Sequence, residues 1–402
     1  MGDLPLPHKN IKKLRKRRRA VTSIILLIAS LFLFSGNSPI PINEHQSAIS
    51  KQIGKKYKIF PQLSGTELVQ RRIEQVANRI EVPGVIAIAK KNGELASYAA
   101  GEANIEDKKP IKTTHAFRIA SVTKTFVATV VLQLVEEQKL NLGDTVEQWL
   151  PGVVQGNGYD GNKITIRQLL NHTSGIPDYL NEKIYKKIAE DRFHIFTMKE
   201  LIKEALSSKP LFEPGTSWSY SNANTLLAAL IIEKSTGLSY RYHIEKRIIN
   251  PLELTCTYLP NYELIIDCAH PRGYIHFEEQ FYDYTEHSPT WLNAAGEMIS
   301  TAEDLVIFYE ALLGGKLLKP EQLQEMLTTV NTPWDTNYGL GIEEFKLYEG
   351  SSVWGHGGST HGFTTAVRAT RNGDHVIAIN ANVSFDSGYV TFDGIIESEM
   401  KR

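Results

Sequence analysis

Three short stretches of this 402-residue chain carry residue types that can move protons and make covalent bonds. Ser121-Val122-Thr123-Lys124 sets a hydroxyl and an amine at i and i+3, positions that share one helix face and can touch. A serine hydroxyl is a weak nucleophile until a neighbour takes its proton. A lysine sunk among apolar side chains has its charged form disfavoured and can be that neighbour, or can act by charge. A helix opening here adds free N–H groups and positive dipole beside Ser121. Tyr220-Ser221-Asn222 offers a phenol and a carboxamide. Near Lys124 the phenol would lose its proton more readily and relay it, while the amide can both donate and accept. His356-Gly357-Gly358-Ser359 falls where a strand should run. Glycines in a strand mark close approach to the backbone, and a bare edge can pair with an extended substrate and give an N–H to an oxyanion. His356 and His361 come without HExxH or a comparable ligand set, so no metal is expected. Single matches prove little. Ser-x-x-Lys recurs at Ser398–Lys401 and Tyr-x-Asn at Tyr179–Asn181, so order and context must carry the argument.

The elements around these stretches give a mixed architecture. Val69, Ile73, Val76, Ala77 and Ile80 recur at helical spacing, and Pro83-Gly84 stops that helix. Two β-rich runs, Val85–Ala89 and Glu94–Ala99, flank Asn92-Gly93, a strong hairpin signal. From Ile119 to Leu313 the pattern is helix and loop. Phe126, Val127, Val130, Val131, Leu134 and Val135 form one apolar face, and Leu226–Ile232 belong to a second helix ending near Gly237. Strand character returns at Val353, at Phe363–Thr370 and, after Arg371-Asn372-Gly373, at His375–Val383; Gly388–Met400 reads as a closing helix. Strands at both ends with helices between them predict one antiparallel sheet with the helical middle as a second lobe.

Composition excludes several classes. With 42% hydrophobic and 22% charged residues the chain is neither disordered nor collagen-like. Lys+Arg 44 against Asp+Glu 45 hides an uneven distribution: residues 1–50 hold eight basic and two acidic residues, leaving 36 against 43, a net of −7, for the rest. So acidic a body does not suit nucleic acid, which is held by neutralising phosphates. The basic cluster instead precedes Ala20–Phe34, an uncharged apolar run of 15 residues. That length suits the apolar region of an export signal better than a full bilayer span of about 20 residues. Positive charge before it predicts translocation of the remainder. Residues 1–36 are therefore expected to form an export signal or uncleaved membrane anchor, 37–64 a Pro-punctuated linker, and 65–402 the catalytic body in the cell envelope. Cys256 and Cys268 can pair in an oxidising compartment or stay two buried thiols.

Taken together, SVTK, YSN and HGG in that order resemble the serine β-lactamase and penicillin-binding protein superfamily, on the side of class C β-lactamases and D-Ala-D-Ala carboxypeptidases. The connecting text is similar as well, in ITIRQLLNHTSGIPDY (Ile164–Tyr179), FEPGTSWSYSNANTLLAALIIEKSTG (Phe212–Gly237), AAGEMISTAEDL (Ala294–Leu305), YGLGI (Tyr338–Ile342) and WGHGGSTHGF (Trp354–Phe363). The resemblance spans about residues 66–398. It implies an α/β (α+β) fold of β-lactamase type, an antiparallel sheet flanked by helices beside an all-α lobe, with the site at their junction. It also implies an acyl-enzyme mechanism without metal or organic cofactor. Ser121 would be the nucleophile, Lys124 and Tyr220 would handle its proton, and Asn222 would orient Lys124 and the substrate amide. The N–H groups of Ser121 and Ser359, just past His356-Gly357-Gly358, would hold the oxyanion. Two departures matter. His356 stands where class C enzymes carry a lysine, which leaves out a permanent cation, and the Ser-Asp-Asn element of class A enzymes is missing. The expected substrate is a peptide or small molecule with a D-amino acid, β-lactam or ester group. A D,D-carboxypeptidase leads, with an esterase, a weak β-lactamase or a non-catalytic penicillin-binding receptor as alternatives.

Overall fold

The computed structural model describes residues 64–79, 81–385 and 390–402. The expected export segment, the expected linker up to residue 63, Ile80 and the start of the expected closing helix lie outside these residues. Helix α1 (Gly65–Ala77) opens on a capping box in which the Ser64 hydroxyl accepts from the Glu67 N–H and the Glu67 carboxylate accepts from the Ser64 N–H. It buries Val69, Ile73 and Val76, the spacing read from the sequence.

The chain then builds a nine-stranded sheet from β1 (Gly84–Lys91), β2 (Glu94–Asn104), β3 (Lys109–Pro110), β4 (Val330–Asn331), β5 (Thr336–Tyr338), β6 (Glu343–Lys346), β7 (Ser352–Thr360), β8 (Phe363–Ala369) and β9 (His375–Ala381), in the order β4-β5-β6-β7-β8-β9-β1-β2-β3. Asn92 and Gly93 both adopt positive φ, 50° and 87°, as a two-residue hairpin between right-twisted strands requires. The terminal strands meet as expected, with β1 and β9 antiparallel and Val85 opposite Ala381. Helices α1 and α5 (Asp393–Met400) cover one face, where Val69 and Ile73 pack with Ile395 and Ile396 against the sheet.

The other face carries α4 (Ala302–Leu313) and the helical lobe built around α2 (Thr123–Glu136) and α3 (Asn222–Thr236). Both central helices are apolar nearly all round, which is the pattern of a buried helix. Gly237, at φ 73°, ends α3 in the left-handed conformation that favours glycine. Phe126 of α2 stacks on Phe308 of α4 with ring centroids 3.7 Å apart, locking lobe to sheet. Phe126→Ala is expected to lower stability by about 3–5 kcal/mol, because the surroundings collapse only partly into the cavity; a denaturant midpoint within error of the parent would refute this.

The helical middle holds more strand than its periodicity predicts. Ala116–Arg118 pairs with Ile299–Thr301, and a hairpin joins Tyr274–Phe277 to Gln280–Asp283. That hairpin turns on Glu278 and Glu279, both at positive φ, so no glycine or asparagine announces it. The long helix also starts two residues late, since Ala120–Val122 form a 3-10 turn before Thr123.

Candidate active site

The 3-10 turn is what presents Ser121. It follows directly on the strand Ala116–Arg118, and Ala120, a buried non-glycine residue, takes φ 48° to make the bend. Strand β7 crosses close behind it: a Cβ on Gly358 would lie 2.3 Å from the Ile119 carbonyl oxygen and 3.0 Å from the Ser121 nitrogen. Only glycine permits that approach, which explains the residue type at this place.

Lys124, one helical turn on, is 2% exposed. Its Nζ lies 3.0 Å from Ser121 Oγ, 2.7 Å from Asn222 Oδ1 and 2.8 Å from the Ala295 carbonyl oxygen. Burial pulls its pKa down to about 7, against the pull of the Asp178 and Glu343 carboxyls. The partners decide what the neutral amine does. An amide oxygen and a backbone carbonyl can only accept, so they take its two N–H groups. The lone pair is left for the Ser121 hydroxyl, and a base is thereby aimed at the nucleophile.

Tyr220 completes the group, its ring centroid 4.9 Å from Lys124 Nζ. The ring is bracketed by His172 at 4.4 Å and by Trp334, Tyr338 and Trp218 at 5.9, 6.2 and 6.4 Å. His172 supports it from within the protein: its Nδ1 accepts from the Ser221 N–H (3.2 Å) and from Asn224 Nδ2 (3.1 Å). Burial and the neighbouring Lys124 hold this imidazole neutral.

Asn222 bridges Lys124 to an acid. Its Nδ2 donates to Asp178 Oδ2 at 2.7 Å, and Asp178 also accepts from the Leu180 N–H at 3.1 Å. Asp178 is half-buried, and desolvation of its carboxyl raises its pKa, while Lys124 and these donors favour its anion.

His356 sits in β7, 2% exposed, with its ring centroid 6.5 Å from that of Tyr220. Its Nδ1 lies 2.5 Å from the Gly357 carbonyl oxygen, which can only accept, so Nδ1 carries the proton and Nε2 accepts from the Tyr338 hydroxyl at 2.8 Å. Burial and the Lys124 charge push its pKa down to about 3, so it stands neutral at ordinary pH. Strand β6 pairs with β7 only over residues 352–355, which leaves the edge beyond His356 uncovered by β6. The Gly357 N–H turns to that edge and donates to the Glu343 carboxylate. Strand groups alternate, so the Ser359 N–H faces the same edge, at an exposed residue.

All eight residues singled out from the sequence thus lie around one junction of sheet and helical lobe. Sequence reasoning missed Asp178, His172, Tyr338 and Glu343. His172, Asp178 and Tyr338 fall inside the stretches quoted for the resemblance, but their partners stand 49, 44 and 18 residues away, and no spacing rule links them.

Comparison with known proteins fixes the lineage. The family model described as Beta-lactamase matches residues 69–395. The chain belongs to the β-lactamase family. It is similar to a D-stereospecific amidohydrolase from Streptomyces sp., at 40% identity and a TM-score of 0.77, covering 83% of this chain and 98% of that one. It is also similar to a D-amino acid amidase from Ochrobactrum anthropi SV3 complexed with D-phenylalanine, at 26% identity and a TM-score of 0.75, over 84% and 99% of the two chains. Penicillin-binding protein 4* of Bacillus subtilis is 29% identical over 319 residues, 74% of this chain and 67% of that protein. Protein flp of Staphylococcus aureus matches over 62% of its own length, so the chain spans about two thirds of these two relatives. Within this family, which includes penicillin-binding proteins, amidases and esterases, the chain is a serine hydrolase of β-lactamase fold.

Proposed function

We propose that the protein hydrolyses peptides or amides carrying a D-amino acid through a Ser121 acyl-enzyme, most nearly as a D-Ala-D-Ala carboxypeptidase-like enzyme on cell-wall-type peptides. The observation that carries this reading is the Lys124 amine, with a pKa of about 7, 3.0 Å from Ser121 Oγ. Neutral Lys124 takes the hydroxyl proton as Ser121 Oγ bonds to the substrate carbonyl carbon. The N–H groups of Ser121 and Ser359 receive the oxyanion. Tyr220 passes a proton to the leaving nitrogen, and the C–N bond breaks to leave an ester on Ser121. Water, losing a proton to the same pair, then attacks the ester and frees the acid, and Ser121 recovers its proton.

The D-stereospecificity named for one of the structurally similar proteins and the D-amino acid named for another support this substrate class. The neutral His356 argues against efficient β-lactam turnover, since it offers no cation for the carboxylate of a penicillin. It also keeps an esterase reading in view, and Esterase EstB of Burkholderia gladioli is 33% identical over 188 residues. We place the body outside the cytoplasmic membrane, on the strength of the basic cluster and apolar run of residues 9–34. The Cys256–Cys268 disulfide accords with an oxidising compartment. Among the described residues no helix is long and apolar enough to cross a membrane.

The test is to incubate the full chain with a peptide ending in D-Ala-D-Ala, with its L-Ala-L-Ala counterpart, with D-phenylalanine amide and with p-nitrophenyl esters. D-Ala release without L-Ala release is expected. Ester turnover with no D-Ala release at any pH from 5 to 9 would replace the carboxypeptidase reading with the esterase one.

A further inference from the structure

A second concave site lies away from the Ser121 cleft, where β2 and β3 meet the loop that precedes the strand Tyr274–Phe277. Its volume is about 470 Å³, within the range of small-molecule pockets, roughly 300–1,000 Å³. Lys109, Lys112, His115, His270 and Arg272 line it, and no acidic side chain does. Ala103 and Pro110 give it an apolar wall. This basic pocket is the reverse of the body around it, which carries a net of −7.

The pocket's cations are only partly compensated. Exposed Lys109 meets Asp107 at 2.8 Å, and Arg272 reaches Asp283 at 3.3 Å and Glu286 at 3.8 Å, pairs open enough to solvent to contribute little. Lys112, His115 and His270 have no carboxylate partner among the described residues. The two imidazoles are held in place by backbone. His115 Nδ1 accepts from the Lys112 N–H at 3.2 Å, and His270 Nδ1 donates to the Cys268 carbonyl at 2.8 Å. Each ring therefore keeps Nε2 for another partner. Burial is the main reason the His115 pKa is lowered; Lys112 and His270 add to it, and that smaller, charge-based part is what an anion would relieve.

We propose that this pocket binds a phosphomonoester with a compact organic body, at a site separate from the Ser121 cleft. A phosphomonoester brings about −1.5 to −2 charges at pH 7 and three acceptor oxygens for the lysines, arginine and imidazoles. The wall of Ala103 and Pro110 suits its organic part.

Calorimetric titration of the full chain with glycerol 2-phosphate tests the proposal. Saturable binding is expected, weakening as salt rises. Lys112→Glu, a change at an exposed residue, should raise the dissociation constant at least tenfold, and Lys109→Glu should raise it as well. Ser121→Ala should leave it unchanged. Three results would overturn the proposal: no saturable heat, affinity indifferent to Lys112→Glu, or binding lost in Ser121→Ala. A fourth would do the same by moving the site to a bilayer, namely capture of the protein by phosphatidic acid vesicles with no response to glycerol 2-phosphate.

Discussion

Ser121→Ala should abolish covalent labelling by a fluorescent penicillin or fluorophosphonate and lower kcat for amides and esters by on the order of 10⁴-fold or more, the scale seen when a nucleophile is removed from a serine hydrolase. The size follows from the mechanism, because without Oγ no acyl-enzyme forms and attack falls to water. The fold should be unaffected, since the side chain removed is small and half-buried. Thermal melting of the variant separates lost chemistry from lost structure. A variant that kept more than a tenth of the parent rate would remove Ser121 from the nucleophile's role and undo the acyl-enzyme reading.

Lys124→Met should cost about 10²–10⁴-fold in kcat/KM, the usual contribution of a general base. The pH profile carries more information than the loss itself. Only the neutral amine can take the serine proton, so kcat/KM of the parent should fall tenfold per unit below about pH 7, where Lys124 titrates. His172 and His356 stay neutral through that range and add no limb. Asp178 gives the sign test. Its negative charge favours the ammonium form, so Asp178→Asn should lower the Lys124 pKa further and move the acid limb to lower pH. The new amide oxygen can still accept from Asn222 Nδ2, which keeps the bridge. A limb that stayed in place, or moved up, would show that Lys124 is not the titrating base.

What each level of structure decided can be read from particular residues. Local pattern was enough for α1, because its buried positions recur at helical spacing, and for the β1–β2 hairpin, because Asn-Gly supplies both positive φ angles. It was not enough for the hairpin at Glu278-Glu279, where tertiary pairing with Val383–Phe385 imposes a turn the residues do not favour. The i, i+3 spacing gave the Ser121–Lys124 contact outright, as both lie on one turn of backbone.

By itself, then, the sequence determined the residue types of the site, the order of its three elements and the mixed sheet-and-helix architecture, since these depend on neighbours along the chain. The tertiary structure alone decided that Asn222 is backed by Asp178, that His356 is sealed neutral behind Tyr338, and that Lys124 loses its charge near pH 7. Those properties come from desolvation and from partners distant in the chain, and burial is a quantity that no spacing of residues specifies.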